Sequence, residues 1–412
     1  MDRSPTILLI SSYFKGGRLI EECKKQGCHT VLVTLEALKD KEWPWESLDE
    51  KFFIPESFKE PQMTHAISYL ARTREIDSII PLDDFDVEVA ASLREHLRKP
   101  GIGDTIARHF RDKLAMRVKA DAEGILVPEF VHVLNHKKID EYLKRVPAPW
   151  VLKPRGEAGS VGIKKLHKAE QVWKHIERLG DRQSDFLIEH YIPGDVFHVD
   201  SAVFNGKVLF SLGSRYKTPP LDIWNAGGVF VTQTVSPKDP VHDALLAINA
   251  KAIAAMGLTS GVVHAEFIQG PPSRGAAGGV NEGSDGQLRF LEMAARVGGA
   301  NIDLLVEAAS GVNLWREWPK IELATIRKQD YKPPRATKKQ AGLLVCLSRQ
   351  EKPDLSALNG PEVWWKEARE HHAALIVADA KVERVDQLLK DYTEYLVSHV
   401  LAVQPPTESH VH

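Results

Sequence analysis

Within the first hundred residues, short apolar runs alternate with stretches of helical spacing, and this alternation constrains the fold more than any other feature. Residues 6–10, 30–34, 52–54 and 77–82 read as strands, and residues 17–26, 64–74 and 87–98 read as helices. Short apolar strands joined by crossover helices predict a parallel sheet with helices packed on it. A small α/β domain is therefore expected over residues 1–100, ended by Pro100-Gly101.

The remaining chain predicts α+β organisation. Helices are expected over 105–122, with Gly124 as a cap, and a strand over 150–153 runs into a glycine-containing loop, 155–162. A helix over 168–179 and a strand over 186–189 complete a central region and small lobe, 101–194. A larger lobe over 195–403 begins with two strands joined at Asn205-Gly206, a hairpin signal. A helix follows over 242–256, then strands over 262–268 and 288–292 flank a Gly/Ser/Pro-rich segment, 270–287, expected to be a long hairpin loop. Residues 335–403 read as a last α/β extension, and 404–412 as a disordered tail.

At 412 residues the chain exceeds one ordinary core, at roughly 150 residues per domain. A formal net charge of −2 gives no field for nucleic acid or membrane, and no apolar run approaches the ~20 residues of a membrane span. The three cysteines, Cys23, Cys28 and Cys346, form no C-x-x-C pair, and no signal peptide is read at the N-terminus. A bacterial-type cytoplasmic enzyme is the expectation, with no nucleic-acid or membrane partner.

Several phosphate and metal signatures are missing. There is no G-x-x-x-x-G-K-[ST], no G-x-G-x-x-G after the first strand, no kinase signature set and no H-E-x-x-H or Cys/His zinc spacing. What is present comes in a fixed order: Arg111-Asp112-Lys113 at a helix start, Lys153-Pro154 ending a strand, the loop 155–162, then Glu189-His190-Tyr191-Ile192-Pro193-Gly194-Asp195. His264-Ala265-Glu266 and Leu291-Glu292-Met293-Ala294-Ala295-Arg296-Val297-Gly298-Gly299 lie on two later strands.

Each piece alone has a plain structural reading. A lysine at a strand end is usually solvated, a glycine loop is usually a turn, and Glu189 could be a capping carboxylate. Glu266 and Glu292 are less bland, because a carboxylate on an apolar strand must be paired or bind metal, and a salt-bridge network with Arg296 is the alternative. Together the pieces suit a polyphosphate enclosed by two lysines and a small-residue loop. They also suit an adenine beside an apolar hinge, Mg²⁺ on two strand acids, and a carboxylate or oxyanion on Arg296.

In this order the elements resemble the ATP-grasp superfamily, over residues 1 to about 403. Its most specific parts are the Glu-x-Tyr-Ile-Pro-Gly hinge and the Glu-Met-Ala-Ala-Arg-Val-Gly-Gly segment, which is similar to the carboxylate–amine ligases that join amino acids. The resemblance implies a pre-ATP-grasp parallel-sheet domain followed by a two-lobed ATP-grasp fold. It implies ATP phosphates on Lys113 and Lys153, a lid carrying Gly156, Gly159, Ser160 and Gly162, adenine at Glu189 and Ile192, and ribose at Asp195. Glu266 and Glu292 would bind Mg²⁺, with Mn²⁺ as a substitute, and Arg296 together with Lys153 would serve catalysis. Ala294 replaces an asparagine common in the superfamily, which puts a second metal ion in question, and Asp195 is one carbon shorter than the usual glutamate.

The implied reaction is ADP-forming ligation of a small-molecule carboxylate to an amine through an acyl phosphate. Asp84, Arg215, Trp224, Gly298 and Gly299 are candidate substrate residues, with an acidic helix N-terminus as the alternative for residues 83–86. His198 and His264 are candidate bases by residue type alone. Rivals are a biotin-dependent carboxylase on the same fold and an ATP sensor without turnover. A homodimer is the expected assembly.

Overall fold

Each apolar run near the N-terminus becomes a strand, and the carboxyl ends of these strands gather on one side, where the site lies. The computed structural model describes residues 3–55, 61–270 and 286–402. The expected tail at 404–412, most of the 270–287 segment and the Trp224 side chain fall outside the described residues. The first sheet contains β1 (Thr6–Ser11), β2 (His29–Leu35), β3 (Glu50–Ile54) and β4 (Ser78–Pro81), all parallel in the order β3-β2-β1-β4. Helices α1 (Gly17–Lys25), α2 (Gln62–Ala71) and α3 (Val87–Leu97) cover it. β1, β2 and β4 are almost entirely buried, as continuous apolar strands in a parallel sheet must be.

The expected helical stretch at 105–122 is broken. α4 (Asp104–Ala107) is short, and α5 (Lys113–Ala122) starts afresh because the Asp112 side chain accepts from the amides of Leu114 and Ala115. Next come β5 (Phe130–His132), α6 (His136–Arg145), β6 (Trp150–Pro154), β7 (Lys164–Leu166), α7 (Ala169–Leu179) and β8 (Phe186–His190). Their strands form a small antiparallel sheet, β5-β8-β6-β7.

The third sheet carries the rest of the chain. Its elements are β9 (Asp195–Phe204), β10 (Lys207–Tyr216), α8 (Pro220–Ala226), β11 (Phe230–Thr234), α9 (His242–Met256), β12 (Gly261–Gln269) and β13 (Leu288–Ala294). After them come α10 (Ile302–Ser310), α11 (Leu314–Arg327), β14 (Gln340–Leu347), β15 (Val363–Arg369), β16 (His372–Asp379) and α12 (Val382–His399). The eight strands run in the order β13-β12-β9-β10-β11-β14-β16-β15. The C-terminal extension is therefore continuous with the large lobe, because β14 pairs antiparallel with β11. One core joins the first sheet to the last: Leu9, Leu32 and Ile80 bury with Leu304, Trp315 and Trp318. Among the described residues, no helix is long and apolar enough to cross a membrane.

Candidate active site

A cleft of about 970 Å³, open solvent at its mouth included, lies between the small sheet and the β12–β13 edge of the large one. Lys113, Lys153, Glu189, Ile192, Glu266 and Glu292 all line it. The hairpin register sets Glu266 directly opposite Glu292, just before a bulge between Glu266 and Phe267. Two like charges at such positions repel unless something neutralises them. Here the Tyr216 hydroxyl donates to Glu266 Oε1 at 2.7 Å, and Lys113 Nζ lies 3.0 Å from Glu292 Oε2. Burial alone would raise the Glu292 carboxyl, but Lys113 and Lys153 outweigh it and hold it down at about 2.

The second lysine is bound differently. Lys153 Nζ lies 2.6 Å from Glu189 Oε2, while Arg117 Nε lies 2.6 Å from Glu189 Oε1. All three groups are buried. Burial pushes the Lys153 ammonium down to about 8. Burial would raise Glu189, yet the two cations hold it below its ordinary range. The Glu189 carboxylate is thus first a counter-ion, and an adenine would have to share its remaining lone pairs. Sequence reasoning missed Arg117, although one signal exists: it stands four residues after Lys113 on α5, on the same helix face.

The loop after β6 runs along the cleft mouth. Ser160 faces the cleft, and Gly156, Gly159 and Gly162 lie along the same turn, with Gly162 packed on Pro154. Ile192 is buried at the hinge. Gly194 has φ 153°, and a Cβ there would stand 2.0 Å from the Gln269 carbonyl oxygen, so only glycine fits where the hinge crosses β12. Asp195 does not line the cleft. Its neighbours Gly194 and Val196 do, while the Asp195 side chain is 60% exposed and lies 3.7 Å from Arg215 Nε. Asp222 on α8 is instead the carboxylate at that mouth, and Pro219-Pro220-Leu221 beside it also line the cleft.

Arg215 is turned away as well. Its guanidinium sits over the Phe197 ring at 4.9 Å and pairs with Asp239 at 3.1 Å. Phe197 packs in the core under α9, whereas Tyr216, one residue on, reaches Glu266. Strand alternation thus puts Arg215 on the opposite face of the sheet, and it does not join the other substrate candidates.

A smaller cavity adjoins the cleft, lined by Asp84, Arg111, Lys113, His264, Glu292 and Arg296 among others. Arg296 is ion-paired with Asp84, and its Nη1 donates to the Val297 carbonyl at 2.8 Å. The acidic run at the end of β4 divides its work. Asp83 and Asp86 form a capping box, Asp86 also accepts from the Ser12 amide at 3.1 Å, and Asp83 pairs with Lys15. Only Asp84 turns to Arg296. Gly298 packs behind them: a Cβ there would stand 2.8 Å from Asp200 Oδ1 and 3.0 Å from His264 Nδ1, whereas Gly299 has open space.

His264 Nδ1 lies 2.9 Å from Asp200 Oδ1, and His198 Nδ1 lies 2.8 Å from Asp200 Oδ2. Burial would lower His264, but the Asp200 and Glu266 carboxylates outweigh it and raise it to about 10, which favours the imidazolium over a free base. His198 is sealed on both ring nitrogens, the second by Thr232 at 2.9 Å. These three side chains are close enough to ligate a metal, yet the contacts among them are hydrogen bonds.

No protein-family model matches the sequence. The chain is 26% identical over 246 residues to the L-arginine-specific L-amino acid ligase of Bacillus subtilis, a match covering 58% of this chain. It spans 56%, just over half, of that relative's length. Among solved structures, an L-amino acid ligase from Bacillus licheniformis superposes with a TM-score of 0.73 at 16% identity, over 98% of this chain and 100% of the other. The biotin carboxylase domain of the Hydrogenobacter thermophilus 2-oxoglutarate carboxylase, solved with MgADP and bicarbonate, gives 0.69 at 15% identity, over 98% of this chain and 92% of that one.

Proposed function

We propose that this chain, whose fold is that of the ATP-grasp superfamily, is a cytoplasmic ATP-dependent carboxylate–amine ligase that forms an amide or peptide bond and releases ADP and phosphate. The observation that carries the reading is the Glu266–Glu292 cross-strand pair facing Lys113 and Lys153 in one cleft. The residues suit a hard divalent cation. Two carboxylates oppose each other, and the Glu292 side chain keeps 34% of its surface open, leaving room for an oxygen ligand. Glu266 and Glu292 would hold Mg²⁺, or Mn²⁺ in its place, which would supply charge neutralisation to the phosphates.

The chain's own groups account for the rest. The substrate carboxylate, held on Arg296, attacks the γ-phosphate, and Lys113 and Lys153 neutralise the phosphate oxygens as ADP leaves. The amine then attacks the acyl carbon; as the C–N bond forms, the C–O bond to phosphate breaks, and phosphate leaves with the amine's proton. The Arg296 guanidinium and the His264 imidazolium stabilise the oxyanion, and the 155–162 loop excludes water that would hydrolyse the intermediate. The Asp84–Arg296 pair supports an α-amino acid as substrate, since an ammonium can exchange onto Asp84 and a carboxylate onto Arg296. The likeness to an amino-acid ligase supports the same class. A homodimer belongs to this reading, supported by the exposed Trp364 on the edge strand β15.

The test is ADP and phosphate release measured against pairs of amino acids and small carboxylic acids. Turnover that needs both a carboxylate and an amine is expected. Bicarbonate dependence with no amine requirement would replace the ligase with a carboxylase, and tight ATP binding without turnover on any pair would leave a sensor.

A further inference from the structure

The three residues before and at the start of α5 each grip the first arm of the 155–162 loop. Arg111 Nη2 donates to the Gly156 carbonyl at 2.6 Å, and its guanidinium stacks over Phe85 at 4.7 Å. Lys113 donates twice: its amide to the Arg155 carbonyl at 2.9 Å and its ammonium to the Glu157 carbonyl at 2.5 Å. Asp112 takes the Arg155 guanidinium in a two-point ion pair, with Arg155 Nε donating to Oδ1 at 2.9 Å. The same Asp112 oxygen accepts from the Leu114 amide at 2.9 Å and the Ala115 amide at 3.3 Å, which starts α5 and so positions Lys113.

Arg155 is fixed from the other side too. Its amide donates to the Asp185 carbonyl at 2.8 Å and its Nη1 to the Ser184 carbonyl at 3.1 Å. Arg155 therefore ties three parts together: the small sheet, the helix that carries Lys113, and the root of the loop. Beyond Glu157 the backbone hydrogen bonds of the loop, among the described residues, are its own and long: the Val161 amide donates to the Ala158 carbonyl and the Ile163 amide to the Ser160 carbonyl, each at 3.4 Å. A two-point guanidinium–carboxylate pair fixes orientation as well as distance, which a lysine or a single hydrogen bond cannot do.

We propose that Asp112 is a positioning residue: through Arg155 it holds the root of the 155–162 loop in register with the Lys113 ammonium, so that loop and lysine close on the polyphosphate as one unit. Lys113 then exchanges the Glu157 carbonyl and Glu292 for phosphate oxygens without the loop losing its anchor. Asp112 touches no substrate in this arrangement, and it acts through Arg155 and the start of α5. The consequence for ligation rests on the ligase reading above; the anchoring itself does not.

The test uses the full chain and two variants that break the same pair from opposite sides. Asp112→Asn keeps an acceptor for the α5 amides, and Arg155→Met leaves the helix start untouched. Hydrogen exchange over residues 155–163, read with and without ADP, is expected to quicken at least several-fold in both variants, with Arg155→Lys recovering part of the protection. With an active substrate pair, both variants are expected to release several-fold more ADP than amide formed, while the wild type stays near one to one. Unchanged exchange in Arg155→Met overturns the proposal even if Asp112→Asn fails to fold. Faster exchange in a protein that turns over no carboxylate–amine pair leaves the anchor standing and removes the ligase instead. Faster exchange with ADP and amide still one to one removes the role of Asp112 in closure.

Discussion

Two lysine–glutamate pairs share one cleft, and they are built to opposite ends. Lys153–Glu189 is closed: both side chains are at most 8% exposed, and Arg117 supplies a second cation to the same carboxylate. Lys113–Glu292 is open: the glutamate is 34% exposed, the contact is longer at 3.0 Å, and a second carboxylate stands across the hairpin. A closed pair holds a fixed positive charge in place, because breaking it leaves an uncompensated buried ion. An open pair can trade partners, since its exposed carboxylate can take a hard divalent cation in place of the lysine. On the proposed ligase reading, the first pair is a scaffold for a phosphate-binding cation and the second a site for metal and nucleotide.

The sharpest way to break the comparison is at the open pair. Glu292→Ala is expected to reduce turnover by about 10³-fold, the several kcal/mol of phosphate-charge stabilisation that a metal ion supplies. The fold should survive, because Lys113 keeps the Glu157 carbonyl as a partner. A steady-state assay with a thermal melt alongside checks both halves; near-normal turnover would remove Glu292 from the metal site. The closed pair should behave in reverse. Glu189→Gln leaves Arg117 and Lys153 facing each other without an anion, and a loss of about 3–5 kcal/mol of stability is expected in denaturant titration. A variant as stable as the wild type would mean that the pair is not the scaffold described.

The two pairs also separate by pH. The Lys153 ammonium is pushed down to about 8 by burial, against an ordinary value of 10.5. As pH rises from 7 to 9 the folded protein loses this charge, so ATP affinity and kcat/KM for ATP are expected to fall, by up to about tenfold per unit above 8. Stability should move the other way. Between pH 8 and 10.5 the unfolded chain holds the proton that the folded one has released, so this group's contribution to stability rises with pH. Glu292, at about 2, and His264, at about 10, do not titrate in the window from 7 to 9. Lys153→Arg should flatten the ATP profile across that window; a profile that keeps its shape would place the titrating group elsewhere.

What could be read from the chain and what could not divide along a physical line. The parallel sheet was legible because β1, β2 and β4 have apolar centres, and the hairpin acids because Glu266 and Glu292 interrupt apolar strands. Arg117 was hidden because its partner, Glu189, is 72 positions away in sequence and no local pattern joins them. Helices α10 and α11 were missed for a local reason. Asn301 caps the first from a left-handed conformation, and Pro319 interrupts the second after its first turn, so the usual start and continuation signals are masked. β5 and β7, at three residues each, are too short to show a period. Asp195 and Arg215 were legible as residues but not as directions, because a strand side chain's face depends on register, and one step reverses it.

That last point gives the smallest expected effect and the cleanest control. Arg215→Ala removes a guanidinium from the α9 side of the sheet, where its partners are Asp239, Asp195 and the Phe197 ring. Tyr216 beside it still points at Glu266, so the metal side of the cleft keeps its hydrogen bond. Surface ion pairs of this kind contribute about 0–1 kcal/mol, and the change in stability should stay within that range. Turnover and KM for either substrate should stay within about twofold of wild type, since 0.4 kcal/mol is about a factor of two at 25 °C. Tyr216→Phe, one residue on and facing the other way, should lower turnover more, because it frees Glu266 from its only hydroxyl donor among the described residues. If Arg215→Ala were the more damaging of the two, the sheet face assigned to the site would be the wrong one.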